Sequence, residues 1–261
     1  MRSLAEAGGR LRAGLSGLTL LAALPAAAAE AVVTVQGANA VEILDLDAAK
    51  VAARIPVPGS PAGIALSPDR KTAYVTRPDG PGLAILDLDA RRVTGTVPLP
   101  GGPLGIACNP RSGIVYVADW YGKRLFVLVP REGTLVPDGE IAVGASPSGI
   151  AVTPDGATLL VANREADTVS VVDAASRRET KVVPVGRHPF GLTLDPEARR
   201  AYAANVLSDD VSVIDLASAR EIARVKTGER PYVVALAGDA ASSPTSTRRA
   251  SRCSTSPPSS P

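Results

Sequence analysis

Residues 153–173 read TPDGATLLVANREADTVSVVD. A Pro154-Asp155-Gly156 turn leads into the apolar run Leu159-Leu160-Val161-Ala162, which ends on Asn163. A short loop follows, then Thr168-Val169-Ser170-Val171-Val172, ending on Asp173. Two short runs of apolar and β-branched residues bounded by turn formers read as a pair of strands. Gly149-Ile150-Ala151-Val152 supplies a strand before them, and Val182-Val183-Pro184-Val185 one after. The four are called A to D in chain order. Alternation in Thr168–Val171 predicts one strand face turned inward and one outward.

The unit recurs. Its leading proline returns at Pro61, Pro103, Pro147, Pro189 and Pro231, at spacings of 42, 44, 42 and 42 residues. Strand A is Gly63–Leu66, Gly105–Cys108, Gly149–Val152, Gly191–Leu194 and Val233–Leu236. Strand B follows at Ala73–Thr76, Val115–Ala118, Leu159–Ala162 and Ala201–Ala204. Strand C closes on Asp45, Asp87, Asp173 and Asp215, where a side chain is expected to bind the turn that follows. The third repeat departs: it has Val129-Pro130 there and two extra residues before Pro147, which predicts a longer, irregular outer hairpin. Four short strands per ~42 residues, with 24 Gly and 23 Pro in the chain, predict an all-β β-propeller with five repeats.

Leu160–Asn163, Thr168–Asp173, Val185-Gly186-x-x-Pro189 and Thr153–Gly156 together resemble the YVTN-type β-propeller repeat, and the resemblance covers residues 31–239. It implies the fold strongly and the function weakly, because a fold does not dictate its site. Such families include exported propellers without assigned chemistry, propellers linked to quinone-cofactor catabolism, and the haem-bearing propeller of cytochrome nitrite reductases. Val32–Val35 aligns with Tyr74–Arg77, so the first repeat starts at strand B. The expectation is an incomplete seven-bladed ring; the alternative is a five-bladed ring closed by Val233–Leu236.

The ends differ from the middle. Arg2, Arg10 and Arg12, the apolar stretch Ala13–Leu24 and Ala27-Ala28-Ala29 have the order of a signal peptide, residues 1–29, which predicts a periplasmic or extracellular protein with no membrane span after cleavage. The propeller repeats are placed at 30–239. Residues 240–261 are rich in Ser, Pro and Arg and poor in apolar residues, expected as a disordered tail or an out-of-frame reading of a further repeat. The formal charge is +2 overall. Both ends are basic, leaving the middle slightly acidic, which argues against a nucleic-acid partner.

Candidate site residues gather in the loops between strands B and C and between strands D and A, which a propeller brings to one channel mouth. They are Arg77, Asp119, Trp120, Tyr121, Asn163, Arg187, His188 and Asn205. Asp and Asn there serve either as turn caps or as a polar ring around a ligand. Trp120 and Tyr121, near Arg124, suit an anchor for a partner. His188 is the one imidazole, and its equivalents are Ser60, Gly102, Ser146 and Arg230, so a variable loop position competes with a working role. No Cys-x-x-Cys-His, phosphate loop or G-x-S-x-G occurs. No catalytic residue, metal site or cofactor is expected. The reading is an exported binding or scaffold propeller for an unknown small molecule or protein. Its rivals are a cofactor-linked oxidoreductase-associated or lactonase-like subunit and a truncated, non-functional product.

Overall fold

The computed structural model describes residues 29–237. The segments read as leader (1–29, Ala29 aside) and tail (240–261) lie outside the described residues. The first sheet holds β1 (Glu30–Val35), β2 (Ala40–Asp45) and β3 (Lys50–Pro56). The second holds β4 (Ile64–Leu66), β5 (Thr72–Arg77), β6 (Gly82–Asp87) and β7 (Arg92–Val97). The third holds β8 (Pro103–Cys108), β9 (Val115–Asp119), β10 (Arg124–Arg131) and β11 (Thr134–Ala142). The fourth holds β12 (Pro147–Val152), β13 (Thr158–Asn163), β14 (Thr168–Asp173) and β15 (Arg178–Pro184). The fifth holds β16 (Pro189–Leu194), β17 (Arg200–Asn205), β18 (Asp210–Asp215) and β19 (Arg220–Lys226).

Each sheet is antiparallel and runs through its strands in chain order, the meander that short turns permit. The Asp at the end of strand C makes the next turn as expected. Asp45 accepts the N–H groups of Asp47 and Ala48, and Asp87, Asp173 and Asp215 accept those of Ala90, Ser176 and Ser218. The third sheet has the longer outer hairpin expected of it, β10 and β11 running 8 and 9 residues, while the register shift between its strands C and D, at Phe126/Leu128, recurs in all five sheets.

Inner strands β4, β8, β12 and β16 stand side by side, while outer strands touch more lightly. This fan of five sheets is a propeller with five blades. Its inner seam is backbone on backbone. A Cβ on Gly63, Gly149 or Gly191 would lie 2.4, 2.3 or 2.4 Å from the carbonyl oxygen of Leu104, Phe190 or Tyr232. The residue after each leading proline is therefore pressed against the glycine of the preceding blade.

Residues 231–237 run beside β16 in the place of a further inner strand. Gly191 donates its N–H to the Tyr232 carbonyl (3.1 Å), and Thr193 Oγ1 donates to that of Val234 (2.5 Å). Among the described residues Val233–Leu236 is assigned to no sheet. β1 sits at the edge of its three-stranded sheet, as its alignment with a strand B predicts.

The core lies between blades. Leu83, Ile85 and Val97 of one blade meet Val115, Val117, Phe126 and Leu128 of the next. Tyr116, Leu125 and Val127 turn the other way, onto Leu159, Val161 and Val172. Each fully buried Leu contributes ~2 kcal/mol. Both faces of strands B and C are thus covered, which corrects the inward–outward reading of Thr168–Val171. Ser170 and Ser212 are fully buried, and each accepts a hydrogen bond from the amide of Asn163 or Asn205 (2.7 and 2.9 Å). Cys108 is partly buried, packed against the edge of a core cluster.

Candidate functional site

The B–C and D–A loops meet through backbone caps. Asn39 Oδ1 accepts the N–H groups of Gly59 and Ser60 (3.1 and 2.9 Å). Asp167 Oδ1 does the same for His188 (2.8 Å), and Asp209 Oδ1 for Arg230 (2.9 Å). Ser60, Ser146, His188 and Arg230 all adopt positive φ, between 50 and 57°. His188 therefore occupies a repeated bend whose backbone is held whatever side chain it carries.

The strand-end residues among the candidates lie beneath these loops. Arg77, Asp119, Asn163 and Asn205 are buried. Asp119 accepts the Gly102 N–H (3.0 Å) and pairs with Arg124 Nε (3.0 Å), tying a B–C loop to a D–A loop. Asn163 donates to Thr168 and Ser170, and Asn205 to Asp210 and Ser212. Arg77 Nη2 reaches the Leu83 carbonyl (3.4 Å), and burial lowers its guanidinium below the ordinary value. One polar atom on each of Arg77, Asn163 and Asn205 has no hydrogen-bond partner.

The remaining candidates reach the surface. Tyr121 is 83% exposed, and its ring lies over Gly102, where a Cβ would sit 2.7 Å from Cδ2. Arg187 is exposed, with its backbone N–H on Ser208 Oγ (2.8 Å). His188 Nε2 lies 3.7 Å from Glu165 Oε2, and its Nδ1 has no partner.

Trp120 connects to residues that sequence reasoning missed. Its ring meets Phe190 edge-on, with centroids 6.3 Å apart, and Phe190 meets Tyr232 edge-on at 5.5 Å. Such pairs each contribute about 0.5–1.5 kcal/mol beyond area burial. The Arg164 guanidinium lies 5.5 Å from the Trp120 ring centre and pairs with Glu165. One contiguous patch thus joins Trp120, Arg164, Glu165, His188, Phe190 and Tyr232 across the third, fourth and fifth blades and the segment beyond. Phe190 and Tyr232 both follow a leading proline, where the earlier repeats have Ala62, Leu104 and Ser148. Two aromatics at one repeat position, in a chain only 3% aromatic, was the available signal.

Residues 136–253 match the model of the YNCE-like β-propeller family. The chain is a β-propeller repeat protein. Among solved structures the propeller is similar to a chain of Kuenenia stuttgartiensis hydrazine synthase, at 27% identity and a TM-score of 0.59. That likeness covers 64% of this chain and 49% of the other. It is also similar to a functionally unknown protein from Desulfotomaculum acetoxidans, at 20% identity and a TM-score of 0.65, covering 70% and 61%. The propeller spans about half to three-fifths of the length of these two chains. No curated protein matches it. Among the described residues, no helix is long and apolar enough to cross a membrane, and no group of three or more His, Cys, Asp or Glu is placed to hold a metal ion.

Proposed function

We propose that the chain is an exported β-propeller binding or scaffold module whose ligand or partner seats on the face built by the B–C and D–A loops. The observation that carries this reading is the edge-to-face run Trp120–Phe190–Tyr232 with Arg164 against its first ring. Tyr232 keeps 51% of its surface exposed within that run. Exposed aromatic surface beside a guanidinium favours association, because it offers large contact area and a directional charge at small entropic cost. Export rests on the leader pattern of residues 1–29.

Trp120 is the single tryptophan of the chain, so its emission reports this face alone. A charge-balanced screen of small aromatic fragments is the test. Fragments that bind are expected to shift Trp120 emission and to lose affinity in Tyr232→Ala. Calorimetric binding that leaves the emission unchanged and survives that substitution overturns the reading.

A second reading, a subunit associated with an oxidoreductase, draws on the likeness to the hydrazine synthase chain and on the unpartnered Nδ1 of His188. It requires His188→Ala to change the rate or the absorbance of the associated enzyme. An unchanged rate and spectrum dismiss it.

A further inference from the structure

Resting on that binding-face reading, we propose that the ligand is a small aromatic carboxylate, anchored by Arg164, and that Glu165 is an internal carboxylate holding the ligand's place until it is displaced.

Arg164 and Glu165 begin a single 3-10 turn, Arg164–Ala166, whose backbone is pinned to the neighbouring D–A loop. Arg164 donates its N–H to the Ser146 carbonyl (3.0 Å), and Glu165 to that of Ala145 (3.2 Å). The side chains therefore start from fixed points. The Arg164 guanidinium packs against the Trp120 ring. A guanidinium held against an aromatic still offers donors to a carboxylate, and its planar fork suits two oxygens. Here it meets one, that of Glu165, whose other oxygen faces His188 Nε2 at 3.7 Å. A carboxylate between Arg164 and His188 is thus already an accommodated group at this spot.

The Glu165 carboxylate is a weakly held occupant. Its side chain is 46% exposed, and exposed ion pairs between flexible side chains contribute little. The other acids of the two neighbouring loops are engaged elsewhere, since Asp167 and Asp209 cap the His188 and Arg230 N–H groups. Beyond the carboxylate position, Phe190 and the half-exposed Tyr232 extend the wall begun by Trp120. A ligand with an anionic end on Arg164 and an aromatic body against these rings satisfies both features. A free amino group or a neutral end satisfies one.

The test titrates the full chain with phenylacetate, phenylacetamide and phenethylamine, following Trp120 emission. Phenylacetate is expected to bind about tenfold more tightly than the other two, a difference of ~1.4 kcal/mol. Arg164→Gln is expected to abolish that preference. Glu165→Gln is expected to tighten phenylacetate about threefold or more, because no internal anion has to leave. Both side chains lie outside the core, so urea unfolding should confirm that both variants fold. Equal binding of the three probes, preference for the amine, or weaker phenylacetate binding in Glu165→Gln overturns the inference and leaves the binding face standing. No emission change with any of these probes, alongside fragments that bind only elsewhere, overturns both.

Discussion

Gly105 and Ser148 touch through their backbones across the seam between the third and fourth blades, and a Cβ on Gly105 would lie 1.6 Å from the Ser148 carbonyl oxygen. No rotamer relieves that contact, because both partners are main chain. Gly105→Ala must therefore push two inner strands apart. The expected loss is about 3 kcal/mol, the upper end for overpacking, read as a lower urea midpoint. Gly37→Ala is the control. Nothing lies within 4 Å of a Cβ there, so a change within about 0.5 kcal/mol is expected.

Asp119 is framework before it is surface. It accepts the Gly102 N–H and the Arg124 guanidinium while being 2% exposed. Asp119→Ala leaves a buried N–H without its acceptor, and a loss of about 2 kcal/mol is expected in chemical unfolding. Asp119→Asn keeps an acceptor oxygen for Gly102 and should fall between the two. If the alanine variant unfolds at the wild-type midpoint, the loop bridge carries no stability.

Four turn aspartates give the acid response a sign. Hydrogen bonds from the hydroxyls of Ser67, Thr153, Ser176 and Ser218 are the leading cause that holds Asp69, Asp155, Asp173 and Asp215 below the ordinary aspartate value of 3.8. A folded-state pKa below the unfolded one stabilises the fold above the unfolded value. That contribution is lost as pH falls through the lowered folded values. The unfolding midpoint should therefore be insensitive to these groups near neutrality and drop once pH passes below 3.8. Asp173→Asn combined with Asp215→Asn should flatten that drop; an unchanged acid limb would show that these turns contribute nothing to it.

Cys108 should react slowly. Burial pushes its thiol up to about 11, from an ordinary 9.0. Only the thiolate alkylates, so two units lower the reactive fraction about a hundredfold at mildly alkaline pH. Peptide mapping after iodoacetamide treatment should find Cys108 unmodified in the folded protein and fully modified in urea. Equal labelling in both would place the thiol in water.

The strands were legible because their signals are local. In four of the five repeats the Asp ending strand C binds its own turn within three residues, and the proline period marks each inner strand. The two-faced burial of β14 and β18 was not legible in this way. Ser170 and Ser212 read as the wet side of an alternating strand, yet each lies fully buried on the face turned to the preceding blade and is satisfied by an asparagine seven residues earlier. The candidate ring divided for the same reason. Asp119, Asn163 and Asn205 have the residue types of a ligand ring, and only their neighbours show that they are buried and bonded to the framework.

By itself the sequence determined the repeat, the strand order within each blade and the turn chemistry, since all three depend on contacts within a few tens of residues. The tertiary structure decided which loops share a surface. Trp120, Phe190 and Tyr232 lie far apart in the chain, and they meet because glycine-on-carbonyl contact sets how closely one inner strand approaches the next. That spacing is a property of packed backbones, and no local pattern of residues encodes it.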